Sequence, residues 1–280
     1  MLIINGNVLT MAGEDYSPGF VLTRGDKIIS VGPMADAPGA ADEEVFDAGG
    51  FFVLPGLIDA HTHLGMFEDA VGFEGDDGNE ETDPVTPQLR AVDAVNPMDR
   101  CFSEAVAAGV TAVMTGPGSA NAIGGQFAAV KTAGNRIDNM ILRAPACMKF
   151  ALGENPKSVY HLKNQAPVTR MATAALIRET LFKAREYMMK LEKAWRDEDA
   201  EEPDFDLKLQ ALIPLLRKEI PAHFHAHRAD DIFTAIRIAR EFDIDFTIVH
   251  GTEGHLIARE LARENVKLIC GPALGDRSKP

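Results

Sequence analysis

The chain carries eight histidines, and four of them stand where imidazoles can act together. His61 and His63 lie two residues apart at the end of an apolar run, Val53–Asp59, that reads as a strand. Alternate residues of a strand face the same side, so these two rings aim at one point. His225 closes a second short apolar run, Ala222–His225, and His250 closes a third, Phe246–His250. Neutral imidazole is a ligand for zinc, iron or nickel, and in a parallel barrel the C-terminal strand ends gather at one rim. The spacing predicts a metal centre on His61, His63, His225 and His250. The competing reading is a scaffold whose histidines are merely buried.

The other histidines divide by position. His223 and His227 share a face with His225 if the strand persists. His227 is expected in the cleft as a substrate contact, and His223 as a buried, hydrogen-bonded residue deeper in the fold. His161 and His255 have no such placement and read as structural or surface residues. Lys149 sits in Cys147-Met-Lys-Phe150, an otherwise apolar strand where a bare ammonium is costly. One reading carries it to the rim, paired with Glu154 or Asp59. Glu154 is itself a candidate substrate-binding residue.

These groups need a frame that brings them together. From residue 51 onward, strand-length apolar runs alternate with helical stretches, the pattern of βα units and a parallel sheet. Seven strands are legible: Val53–Asp59, Thr111–Thr115, Met140–Arg143, Ala146–Phe150, Ala222–His225, Phe246–His250 and Lys267–Cys270. Helices are expected near Pro97–Ala108, Arg170–Trp195, Ala229–Phe242 and His255–Glu264. The longest presents Ile177, Leu181, Ala184, Met188, Leu191 and Trp195 as a core-facing stripe. Gly116–Gln126 reads as a glycine-rich rim loop, and Glu74–Asp83 as a lid or solvated acidic loop.

Residues 1 to about 50 form short strands punctuated by Asn5-Gly6, Gly25-Asp26 and Gly49-Gly50, too few for a stable domain alone. A closed barrel needs eight strands. The expected fold is thus α/β: a TIM-like (β/α) barrel over 51–280, incomplete because strand eight is missing, preceded by a β-sandwich segment over 1–50.

A net charge of -14 argues against nucleic acid or an anionic membrane as partner. Cys101, Cys147 and Cys270 are isolated, which fits a reducing compartment. There is no signal-peptide pattern at Met1 and no apolar run near the roughly 18 residues that span a bilayer. The expected setting is cytoplasmic and the expected partner a small-molecule substrate, with homo-oligomerisation left open.

Leu54-Pro-Gly-Leu-Ile-Asp-Ala-His-Thr-His63 resembles the opening motif of the amidohydrolase superfamily. His223-Phe-His-Ala-His-Arg-Ala-Asp-Asp-Ile232 and Thr247-Ile-Val-His-Gly251 are similar to the strand-five and strand-six segments of its imidazolonepropionase and Xaa-Pro dipeptidase-like branch. The resemblance covers essentially the whole chain. It implies a (β/α)₈ barrel, one or two divalent metals, most readily zinc, and a hydrolytic water. His61 and His63 match the first-strand ligands, His225 the strand-five ligand and His250 the strand-six ligand. It also implies a second reading of Lys149, as a carboxylated lysine bridging two metals. The family's usual base, an aspartate ending strand eight, has no counterpart after Cys270, so the catalytic residue is unassigned. The implied function is metal-dependent hydrolysis of a C–N bond in an amide, cyclic amide or dipeptide. The alternative is a non-catalytic metal-binding fragment or an open barrel that needs a further segment for activity.

Overall fold

The computed structural model describes residues 1–40, 43–69 and 71–272. The chain divides into two compact units, Met1–Leu57 and Ile58–Pro280.

The first unit is a small sheet of β1 (Leu2–Val8), β2 (Tyr16–Arg24), β3 (Lys27–Pro33), β4 (Val45–Asp47) and β5 (Phe52–Val53), in the order β3-β2-β1-β4 with β5 also on β1. β2 and β3 form a hairpin in which Arg24 pairs with Lys27, and Gly25 takes the left-handed conformation that so tight a turn requires. Leu2, Phe20 and Leu22 fill its core. Asn5-Gly6, expected as a turn, lies inside β1. Asn5 there adopts φ 55° and the register against β2 shifts, so the turn signal is used as a bulge.

The second unit is a seven-stranded sheet in the order β12-β11-β10-β9-β8-β7-β6. Its strands are β6 (Leu57–Thr62), β7 (Val110–Thr115), β8 (Ile123–Lys131), β9 (Ile141–Ala151), β10 (Ala222–Ala226), β11 (Phe246–His250) and β12 (Lys267–Cys270). β9 to β12 run parallel, as expected of buried βα units. β8 runs antiparallel to both β7 and β9, which departs from the expected all-parallel sheet. The connections on either side of β8 are too short for a crossover helix, and a short connection can join only antiparallel strands.

β8 also occupies part of the stretch expected as a loop, since Ile123–Gln126 is already strand. The two runs Met140–Arg143 and Ala146–Phe150 are one strand, β9. Pro145 falls where Phe127 pairs with Cys147 but Ala129 pairs with Arg143. That bulge absorbs the residue that cannot donate to the ladder.

The helices are α1 (Arg100–Ala107), α2 (Glu154–Leu162), α3 (Arg170–Arg196), α4 (Leu207–Leu216), α5 (Ala229–Phe242) and α6 (Ala258–Arg263). Ile177, Leu181 and Ala184 of α3, Leu212 and Leu215 of α4 and Ile232 and Ala235 of α5 pack with Phe150, Phe224 and Ile248 of the sheet. The α3 stripe fades beyond Ala184: Tyr187 is buried, while Trp195 is 87% exposed. Arg170 at the start of α3 holds the buried Asp231 of α5 through two contacts of 2.9 and 3.1 Å. Among the described residues, no helix is long and apolar enough to cross a membrane.

The sheet is strongly curled. Five strand spacings of about 4.8 Å separate β6 from β11 in a flat sheet, or roughly 24 Å. Yet the rings of His61 on β6 and His250 on β11 are 5.7 Å apart. The seven strands bend into a nearly closed wall whose inner face carries both.

Candidate metal centre

Two groups of rings meet inside this wall. His61 and His63 lie edge to face at 5.3 Å, as the i, i+2 spacing on β6 requires. His225, His227 and His250 form the second group, with centroids 4.6, 4.7 and 4.9 Å apart. The 5.7 Å contact of His61 with His250 joins the groups. The four histidines singled out in sequence are thus together. His227, expected as a substrate contact, has its ring packed among theirs.

His250 reaches the cluster by an irregularity of backbone. In the β10–β11 register, His225 pairs with Val249, and His250 pairs with Ala226. Regular alternation therefore turns His250 away from the face that His225 occupies. His250 has φ 73°, about half a turn from the extended value near −120°. Rotation about N–Cα carries Cβ with it, so the left-handed conformation swings the ring back to the cluster. A non-glycine residue in this region is under local strain, a condition that concentrates at functional sites.

Lys149 is fully buried, with Nζ 3.2 Å from His61 Nε2 and 5.4 Å from the Phe127 ring centroid. The reading that took Lys149 to the rim is corrected: β9 buries it at the level of His223, its register partner on β10. Phe127 of β8 stacks on His61 at 5.0 Å. In this dry setting burial holds the Lys149 ammonium down to about 7. Burial, with the Lys149 charge second, lowers His63 and His223 to about 4 each, and His61 falls further for the same two reasons. These three imidazoles are neutral at pH 7, the form that binds metal.

The outer edges of four rings are fixed. His63 Nδ1 is 2.7 Å from Gly116 O and His250 Nδ1 is 2.6 Å from Gly271 O. A carbonyl only accepts, so each Nδ1 carries the proton and the ring lone pair sits at Nε2. His225 Nδ1 lies 2.9 Å from Ser119 Oγ, and His227 Nδ1 lies 2.7 Å from Thr252 Oγ1. Metal-binding imidazoles are held in this way through their second nitrogen. His61 Nδ1 and His223 Nδ1 are buried without a hydrogen-bond partner among the described residues, so for His223 the expected burial is found but not a bond at this nitrogen. An imidazole-rich donor set with orphaned buried nitrogens fits a divalent transition metal.

The connection between β7 and β8 supplies two of those outer contacts. Gly116 must be glycine, since a Cβ there would lie 2.2 Å from the Phe127 ring. Further along, Tyr160 of α2 donates to Asn121 Oδ1 at 2.6 Å, and Asn121 Nδ2 donates to Thr86 Oγ1 at 2.9 Å. These bonds pin the loop that presents Ser119.

Glu154 begins α2. It lines a cavity of about 380 Å³ with Asn79, Glu81, Ser119, Ala120 and Asn155. His255 lies exposed in a short turn, its Nδ1 3.1 Å from Thr252 O, and His161 is exposed on α2. Sequence reasoning missed the ring packing of His227, and Ser119, Thr252 and Phe127 altogether. The first had a signal, because His225-x-His227 repeats the spacing of His61-x-His63. The others had none.

No family model matches the chain. It is similar to the amidohydrolase tasK of Hapsidospora irregularis, 29% identical over 253 residues that cover 82% of this chain and 25% of that protein. An imidazolonepropionase of Roseobacter denitrificans is 44% identical over 69 residues, 23% of this chain and 17% of that one. The chain therefore spans a quarter or less of the length of these two relatives. Among solved structures, the crystal structure of an amidohydrolase from Thermotoga maritima MSB8 superimposes with a TM-score of 0.93 at 44% identity, over 99% of this chain and 71% of that one.

Proposed function

The chain belongs to the amidohydrolase superfamily, with imidazolonepropionase-like relatives, and on that premise we propose that its histidine cluster is a divalent-metal centre for hydrolysis of a C–N bond in a small molecule. The observation that carries this reading is the meeting of His61 with His250 from strands far apart in the sheet order. We assign His61, His63, Lys149, His225 and His250 as ligands, zinc as the metal and one or two ions as the load. The curled sheet is then the wall of a (β/α) barrel, and the N-terminal strands belong to a small β-sandwich.

The residues have distinct tasks. Carbonyl contacts at Gly116 and Gly271 hold His63 and His250 in the tautomer that presents Nε2. Burial keeps His61 and His63 neutral. Lys149, lowered to about 7, is about half amine at neutral pH. Its lone pair can add to the carbon of carbon dioxide with loss of one proton, giving a carbamate. That change replaces a buried cation by an anion suited to a metal ligand. A divalent cation bound there supplies Lewis acidity, polarising the scissile carbonyl and lowering the pKa of water towards about 7.

The substrate is an amide, cyclic amide or dipeptide. A cyclic amide is favoured by the imidazolonepropionase relative, whose name gives an imidazolone as its substrate. Glu154 and Ser119 would face it in the cavity of about 380 Å³, within the usual range of small-molecule sites. The test loads the full chain with Zn²⁺ and follows amine or ring-opened product across N-acyl amino acids, cyclic amides and dipeptides. Metal-dependent turnover that His225→Ala reduces to background is expected. Equal rates for the parent and His225→Ala proteins on every compound would overturn the reading.

A further inference from the structure

The second group of rings is a ligand set in its own right. His225, His227 and His250 each bring one ring nitrogen to within 4.8 Å of the other two. His225 closes on β10 and His227 follows two residues later, so both rings leave the sheet on one side. The left-handed His250 turns in from the neighbouring strand. Each Nδ1 is engaged by a group outside the trio: Ser119, Thr252 and the Gly271 carbonyl. The second nitrogen of each ring, Nε2, is the donor assigned to the cation. Tetrahedral ligands about 2.1 Å from a zinc ion lie about 3.4 Å from one another, so ring rotations moving each nitrogen by roughly an ångström close the set.

We propose that His227 is a metal ligand, and that His225, His227 and His250 form a tri-imidazole site which binds a divalent cation without help from His61, His63 or Lys149. The inference rests on the metal-centre reading above and extends it. His227, read from sequence as a substrate contact, becomes the third protein donor of one ion. Three protein donors would leave a fourth position for water or substrate, as in tri-histidine catalytic zinc sites. The two H-x-H pairs, on β6 and at the end of β10, then face each other as separate clamps, with the His61–His250 contact between them.

The test measures Zn²⁺ affinity by competition with a chromophoric chelator, and the visible spectrum of bound Co²⁺, in the full chain. In a His61→Ala/His63→Ala background, one Zn²⁺ per chain and an intense four-coordinate Co²⁺ spectrum are expected. Adding His227→Ala should weaken Zn²⁺ binding at least about tenfold, the lower end of what even an outer-sphere histidine partner costs, and shift the Co²⁺ bands. If the alanine variant loses its circular dichroism, His227→Gln keeps the volume and carries the same comparison. Unchanged affinity and spectrum on replacing His227, or no Zn²⁺ bound in the double-alanine background, would overturn the inference. A chain that binds Zn²⁺ at this site but hydrolyses nothing sinks the hydrolase reading alone.

Discussion

His225 has Val249 as its register partner, yet the ring it meets at 4.7 Å belongs to the next residue, His250. A left-handed backbone at one position converts an outward residue into a member of the cluster. Such a conformation costs an ordinary residue about 1 kcal/mol, and asparagine tolerates it better.

His250→Asn should therefore keep the metal-free protein as stable as the parent, or raise its stability by up to about 1 kcal/mol, while metal affinity falls. Chemical denaturation without metal and Zn²⁺ competition check the two halves. A large loss of metal-free stability would show that the imidazole itself, and not its ligand role, holds this turn.

Ser119 and His225 are joined by a contact of 2.9 Å across 106 positions of sequence. Ser119→Ala removes the partner of a buried ring nitrogen, at a cost of about 1 kcal/mol. It should also lower metal affinity about tenfold by loosening the ring. Isothermal titration with Zn²⁺ reads the second effect, which a purely structural serine would not produce.

Lys149 lowers the stability of the metal-free fold. Its ammonium is held down to about 7 by burial, so the folded chain is penalised at pH values below the unfolded pKa of about 10.4. Lys149→Met should stabilise the metal-free protein by roughly 2–4 kcal/mol at pH 7. In the parent protein, ¹³C-bicarbonate should give a carbamate resonance by NMR that the methionine variant lacks. An absent resonance in metal-loaded protein removes the carboxylated-lysine reading.

The neutral imidazoles make the fold acid-labile. His223, 5% exposed, and His63 are lowered from 6.5 to about 4. Between those values the unfolded chain binds protons that the folded chain does not. The stability is fully present above pH 6.5 and is lost as the pH falls towards 4, with a slope of about 1.4 kcal/mol per pH unit for each group. Urea melts of the metal-free protein at pH 7, 6, 5 and 4.5 should show this slope. His223→Leu should reduce proton uptake on unfolding by about one.

The histidines were legible because two periodicities expose them: i, i+2 spacing on β6, and closure of short apolar runs by His225 and His250. β10, β11 and β12 were legible as short, largely apolar runs between helical stretches. β8 was not, because Gly124 and Gly125 at its start read as loop, and its direction follows from connection lengths that only a placed strand reveals. β9 was split in two by Pro145, which a bulge absorbs. α4 was missed because Pro214 lies inside it. Ser119 leaves no trace in sequence, since its partner comes from a different strand and its residue type is common. His250 was placed correctly at a strand end, but alternation alone would have faced it the wrong way.

The reversal of β8 has an outcome for how this protein can change over generations. Gly116 and Ser119 sit at the tip of a hairpin, and that tip both braces two imidazoles and forms part of the wall of the neighbouring cavity. On the metal-centre reading, an insertion or exchange there would alter ion grip and ligand preference in one stroke while the helical shell is untouched. Selectivity and metal retention would then be coupled traits in this scaffold, inherited together through one short stretch of chain.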